Sequence, residues 1–350
     1  MSASSFSSPS PPKRLRTKGT LTSSREVSRE KTLPRTESTL YNTPFKSRNQ
    51  SLCRPNTSDS QVKKAIKKLK GFLNKQWHFF QVSSLFNMDY SEVCMKRYAR
   101  RLKEKLMSRL PDDSSTVYEV IYTTFPNLKL NDVDHEAVEI TVVKINEEGN
   151  RTMAYNAVLF SWGARENMQQ ANAIFLPIML CQGLKTLMNQ VHVEFQLLHD
   201  CFVSPFDVRD DELRTLCVGI FDNSSYQDTD NIKLKFIPPN NVKSRSLNIS
   251  LPANIFSELW KCIPKGDQDW GDAETTTFWK DFHTHTYNSF GIDLGRFGLS
   301  SIALPDIVFN KEMVKANRKE QLYLTLSFLM NLINPLCSVA PHVHEVVVLD

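Results

Sequence analysis

The sequence predicts an α+β protein built on a large, mostly antiparallel sheet covered on one face by helices and preceded by a disordered basic tail. Three observations lead there. Clusters of period-two segments alternate with helical ones, as strands grouped with intervening helices do. A hydrophobic content of 41% in 350 residues supports one large core or two smaller ones. Residues 1–58 are rich in Ser, Thr and Pro and poor in aromatics, so they cannot bury enough surface to offset chain entropy. The expected division is a tail over 1–58 and a body over 59–350, with a basic helical part (59–111) ahead of a sheet-rich part (112–350).

The tail carries the cluster PPKRLR (11–16), of nuclear-import type. Ser10 and Thr43 each precede a proline and, two residues further on, a lysine; this is the pattern of proline-directed kinases, and phosphate there would cut the local positive charge. The body opens with DSQVKKAIKKLKGFLNKQW. Val62, Ala65, Ile66, Leu69 and Leu73 form one helical stripe, while Lys63, Lys64, Lys67, Lys68 and Lys70 cover much of the rest. A second basic helix follows the aromatic stretch WHFFQVSSLF. In it Tyr90, Val93, Cys94, Tyr98, Leu102 and Leu106 are expected inward, Lys96, Arg97, Arg100, Arg101, Lys103 and Lys105 outward, and Pro111 ends it.

From Val117 the period changes to two. VYEVIYTTF, HEAVEITVVKI and RTMAYNAVLFSW are expected strands, with the turn signal EEGN between the last two. An apolar FLPIML precedes a helix over Leu184–Leu198. LRTLCVGIF, NIKLKFIP and SRSLNISL read as further strands, followed by a short helix PANIFSELWKCI with Pro252 in its first turn. A helix from Thr275 to Gly291 comes next, then GIDLGRFGLSSIAL as a strand pair or bent strand. QLYLTLSFLMNLI fits both periods and is assigned to helix, and HEVVVLD ends the sequence as a β-branched strand.

Charge divides the chain. Residues 1–60 carry +7, residues 61–110 carry +10 and the remainder −12, within a total of +5. A basic front suits nucleic acid or an acidic protein, because each Lys or Arg that neutralises a phosphate releases counterions. For the two helices the plainer alternative is a solvated face. No apolar run reaches the ~18 residues needed to cross a bilayer, and the N-terminus has no apolar leader, so an intracellular protein is expected. Seven scattered cysteines read as reduced core residues.

Motifs of catalysis are missing from the sequence. It contains no G-x-x-x-x-G-K-[ST], G-x-G-x-x-G or G-x-S-x-G pattern. His283 and His285 sit two apart in DFHTHTYNSFGIDL. On a strand they would share a face, but the spacing of Phe278, Trp279, Phe282, Thr286 and Phe290 predicts a helix, on which they diverge by ~200°. DVRDDE (207–212) lacks the glycine and terminal glutamate of a calcium loop and reads as an acidic surface turn. His199 and Cys201 are close in sequence, without evidence that they converge. No catalytic, cofactor or metal residues are assigned, and the expected protein is a binding or scaffolding subunit.

The segments LNKQWHFFQVSSLFNMDYSEVCMKRYARRL (73–102), FLPIML (175–180), HDCFVSPFDV (199–208), SLNISLPANIFSELW (246–260) and FHTHTYNSFGIDL form a colinear series that resembles the centromere protein L family. The resemblance implies a curved sheet and a non-enzymatic inner-kinetochore subunit in the nucleus, at the centromere. It further implies pairing with centromere protein N, contact with centromere protein C and other inner-kinetochore subunits, and attachment to centromeric nucleosomes or DNA through that complex. The alternative is a nuclear DNA-binding or nucleic-acid-processing protein that uses the basic helices. Val346, Val347, Val348 and Leu349 are the candidate partner interface, since an apolar strand must either pair within its own sheet or invite association.

Overall fold

The computed structural model describes residues 60–109, 117–164, 172–238, 246–264 and 271–333. Among them are seven α-helices and an open sheet of eleven strands, all paired antiparallel. Helix α1 (Ser60–Lys68) runs into a 3-10 turn over Leu69–Phe72, then strand β1 (Trp77–Val82) and α2 (Glu92–Arg109). A meander follows: β2 (Val117–Phe125), β3 (Ala137–Ile145), β4 (Arg151–Phe160) and β5 (Ile178–Gly183). Next come α3 (Lys185–His199), β6 (Val203–Pro205), α4 (Asp210–Asp222), β7 (Asn231–Ile237), β8 (Leu247–Pro252), α5 (Ala253–Lys261) and α6 (Asp272–Phe290). The last described elements are β9 (Gly298–Leu304), β10 (Ile307–Asn310), β11 (Met313–Ala316) and α7 (Lys319–Ile333).

The sheet order is β2-β3-β4-β5-β1-β11-β10-β9-β7-β8, with β6 paired to the far end of β1. Strand alternation divides its side chains between two cores. Trp77 and Phe79 of β1, Ile178 and Leu180 of β5, and Val158 and Phe160 of β4 enter the first core, with residues of α1, α4, α5, α6 and α7. Val82 of β1, Met179 and Cys181 of β5, and Ala157 and Leu159 of β4 enter the second, with α2 and α3. Successive strand residues point to opposite faces, so the two cores lie on opposite sides of one sheet. Helices therefore cover both faces, not one as the sequence suggested.

Four local expectations need correction. LRTLCVGIF is not a strand but part of α4, whose start is stabilised by Asp210, Asp211 and Glu212 at the positive end of the helix dipole. Leu213, Leu216, Cys217, Val218, Ile220 and Phe221 are all buried, so the helix is apolar almost all round and its 3.6 period is hidden in the sequence. The lysine-rich helix ends at Lys68, and WHFFQV beyond it is β1, at the centre of the sheet between β5 and β11. Val93 is 77% exposed, and Met95 takes the inward position in α2. Of GIDLGRFGLSSIAL only Gly298–Leu304 is strand, after a 3-10 turn at Leu294–Arg296. The short strands β6, β10 and β11 have no counterpart in the sequence reading.

A buried carboxylate fixes the loops at one end of the meander. Asp134, 3% exposed, accepts backbone N–H bonds from Leu130 (2.8 Å), Asn131 (3.3 Å), Gly163 (3.0 Å) and Ala164 (2.8 Å). Gly163 has φ +77°, a conformation that favours glycine. The β2–β3 and β4–β5 connections are thereby tied to each other through one side chain.

Candidate interaction surfaces

Helix α1 buries Ala65 and Ile66 and leaves Lys63, Lys64, Lys67 and Lys68 in solvent, with Lys70 exposed in the turn that follows. It lies on the first core and contacts α7. The Lys68 ammonium stands 5.6 Å from the centroid of the Phe125 ring. Helix α2 buries Met95, Tyr98, Leu102 and Leu106 against the second core, and Arg97, Arg100 and Arg101 are exposed while Lys103 is half-buried. The two basic helices thus lie on opposite faces of the sheet and do not form one continuous surface. Part of the charge on α2 is matched locally. Lys96 pairs with Glu92 (2.6 Å) and Arg100 with Glu104 (3.7 Å), whereas Arg97 donates to the Cys94 sulfur (3.1 Å) and stands over the Tyr98 ring (5.7 Å).

On the α2 side the structure adds cations that sequence reading missed. Helices α2 and α3 cover β2 to β5 and β1, and among the described residues the second core does not extend over β7 to β11. Across that uncovered half, the register aligns Ser250, Lys233, Ala303, Val308 and Lys315 in one row over β8, β7, β9, β10 and β11. A second row holds Asn248, Lys235, Ser301 and Asn310. Three lysines, Val308, small residues and amides make up these rows, without a carboxylate. Lys233 and Lys235 are two strand positions apart, ~7 Å, and Lys315 lies three strand spacings away, ~14 Å. The alternation in NIKLKF shows in the sequence that both lysines face away from the core. It does not show that no helix covers them, nor that Lys315, some 80 residues later, joins them.

Among the described strands, both ends of the sheet are open. Among the described residues, β8 pairs only with β7, through Leu247–Pro252, and β2 only with β3, through Val117–Phe125. Ser10, Thr43 and the run Val346–Leu349 lie outside the described residues.

The residues flagged for chemistry have structural partners. His283 is on α6, where its Nε2 is 3.1 Å from the Arg214 guanidinium; Arg214 also donates to Asp210 (2.7 Å) and stands over the Trp279 ring (5.2 Å). Burial, then the Arg214 charge, holds His283 below the usual imidazole range. His285 is on the same helix, two positions on, and no group of three or more His, Cys, Asp or Glu able to hold a metal occurs among the described residues. DVRDDE is the start of α4, not a free turn: Arg209 and Glu212 bond to each other, and the Leu299 N–H donates to Asp210. His199 donates through Nδ1 to the Asn87 carbonyl (3.3 Å) and is packed by Tyr98 and Phe195. Burial pushes the Cys201 thiol up to about 12 and His199 down to about 4, the reverse of an activated thiolate–imidazolium pair. The described cysteines are all free, and no described helix is long and apolar enough to cross a membrane.

An open sheet with uncovered faces and edges among the described residues, in which His283, His199 and the acidic start of α4 are held by structural contacts, has the form of a protein that presents surfaces to partners. The chain matches the family model for centromere protein L over residues 71–340, which covers most of its length. It belongs to the centromere protein L family and is therefore a kinetochore protein of the centromere, located on the chromosome in the nucleus and serving chromosome segregation. No curated protein matches the chain.

Proposed function

We propose that the chain is a non-enzymatic scaffold that pairs with centromere protein N, works with centromere protein C, and helps anchor the inner kinetochore to centromeric nucleosomes. The observation that carries the pairing is the outer edge of β8, in the C-terminal half of the sheet, which no described strand pairs. An added strand would gain main-chain bonds there and set alternate side chains beside Leu247, Ile249 and Leu251. Hydrogen exchange of the full chain, with and without centromere protein N, tests this. Slower exchange of residues 247–252 in the pair is the expected result, and protection confined to other strands refutes it.

A second reading has its own support, namely direct contact with DNA through the α2 cations and the lysine rows of the uncovered half-face, which lie on one side of the sheet. The α1 lysines lie at residues 63–68, ahead of the family match, whereas α2 and all three sheet lysines lie within it. If the family shares a polyanion surface, α2 and the sheet are its better candidates.

A further inference from the structure

Helices α2 and α3 lie side by side on the second core. The Tyr98 ring meets that of His199 at 4.7 Å, and further along α2 Arg109 meets Glu194 at 2.9 Å, so α3 runs back along α2 and the pair is antiparallel. The Arg109–Glu194 contact marks the flank that each helix turns to the other. Lys105 and Arg101 precede Arg109 one and two turns earlier and share its stripe, shifted outward towards solvent. Both are exposed, and neither has an ion pair among the described residues.

The facing side of α3 differs in kind. Gln190 and Leu197 stand on either side of Glu194 at one-turn spacing, and Val193 lies one turn before Leu197. Leu197 is 70% exposed and Val193 41%, so no described element covers them. Glu194 is the only carboxylate within α3, and it is buried and already paired. At the C-terminal end of the helix the Phe86 N–H donates to the His199 carbonyl (3.1 Å), which holds a further exposed apolar residue there. The outer seam of the two helices thus has an aliphatic wall without free charge on α3 and a cationic wall on α2.

This combination selects the chemistry of its ligand. Covering exposed aliphatic side chains is favourable, and phosphates cannot do it, so nucleic acid along the seam would leave Val193 and Leu197 in water. A helix satisfies both walls. The groove between two packed helices accepts the ridge of a third, with apolar anchors recurring at helical spacing. Carboxylates beside that apolar stripe would then meet Arg101 and Lys105, which are ~6 Å apart along α2. Arg100 is outside the seam, on the outer face of α2, where it pairs with Glu104 (3.7 Å).

We propose that the seam between α2 and α3 docks an acidic amphipathic helix of a partner protein, its apolar stripe on Val193 and Leu197 and its carboxylates on Arg101 and Lys105. The seam is separate from the β8 edge and does not depend on pairing with centromere protein N.

The test replaces Gln190 with the photo-crosslinking residue p-benzoylphenylalanine in the full chain, expressed in dividing cells, and identifies the crosslinked peptide by mass spectrometry. The expected product is a segment of another protein in which apolar residues recur at helical spacing beside Asp or Glu. Made as a labelled peptide, that segment should bind the full chain in fluorescence anisotropy. Leu197→Asp, and separately Arg101→Glu with Lys105→Glu, should each weaken it about tenfold, and Arg100→Glu should leave it unchanged. Exchanging the peptide's acids for lysines should restore binding to the Arg101→Glu, Lys105→Glu chain, which a misfolded variant would not do. A crosslink to DNA, to this chain itself or to a basic segment overturns the proposal. So does the absence of any crosslink, or a peptide whose affinity is indifferent to Leu197→Asp.

Discussion

Placing the two basic helices on opposite faces changes what a charge-reversal experiment should show. Consider Arg100→Glu with Arg101→Glu on α2, and separately Lys67→Glu with Lys68→Glu on α1. All four side chains are exposed, so each pair should leave the fold intact; Lys68 gives up only its contact with Phe125, worth about 1 kcal/mol or less. If both α2 arginines contact phosphates, their loss reduces the slope of log K against log[salt] by ~1.8, at ~0.9 per contact. Between 50 and 200 mM salt, the parent would then lose about twelvefold more affinity than the variant. Arg100 shares its charge with Glu104 at 3.7 Å, so the slope change should lie between one contact and two. Lys233→Glu with Lys235→Glu, on the same side of the sheet, should act in the same direction. The α1 pair should leave the slope unchanged. Fluorescence anisotropy of a labelled duplex over a salt series measures all three, first with the chain alone and then with centromere protein N. Equal slope losses from the α1 and α2 pairs would refute the one-sided surface, and no loss from either α2 or the sheet lysines would remove DNA as their ligand.

Asp134→Ala leaves four backbone N–H groups without their acceptor, and equilibrium urea unfolding should show a loss of about 3 kcal/mol or more, with Asp134→Asn intermediate. Arg109 (43% exposed) pairs at 2.9 Å with Glu194 (4% exposed); Arg109→Ala should cost about 2 kcal/mol, and adding Glu194→Gln should restore most of it. His192 and His199 are each lowered by burial from 6.5 to about 4, so the unfolded chain binds more protons between those values. Stability should be full above pH 6.5 and fall by about 3 kcal/mol per histidine as pH drops towards 4; thermal melts of His192→Gln should show a shallower decline, and an unchanged pH dependence would count against this assignment.

Much of the body was readable because periodicity and burial agree there. Strands β2 and β3 alternate in burial along much of their length, and α6 ends at Gly291, whose φ of +67° meets the need for a left-handed residue after the last turn. Reading failed where burial is two-sided. Helix α4 and strand β1 are each packed on more than one side, and continuous apolar runs such as LCVGIF and WHFF carry no period to separate helix from strand. The four-residue strands β10 and β11 are too short to show alternation, yet they carry Lys315 into line with Lys233. The basic residues of the candidate surface were visible individually. Their grouping was not, since it depends on which face of the sheet each helix covers, and that follows from a strand order in which β1 lies beside β11.

The central position of β1 has a consequence for how the surfaces work together. Phe79 stacks on Phe309 at 5.1 Å and meets Phe206 at 5.7 Å in the first core, while Phe80 meets His192 of α3 at 4.6 Å in the second. One strand therefore holds both cores in a fixed relation, and with them the α2 cations, the lysine rows and the β8 edge. A partner strand added at β8 would extend the uncovered lysine face outward, on the side where α2 stands at the other end of the sheet. Pairing and polyanion contact would then use one continuous side of the molecule, opposite the side that carries the α1 lysines and the acidic start of α4.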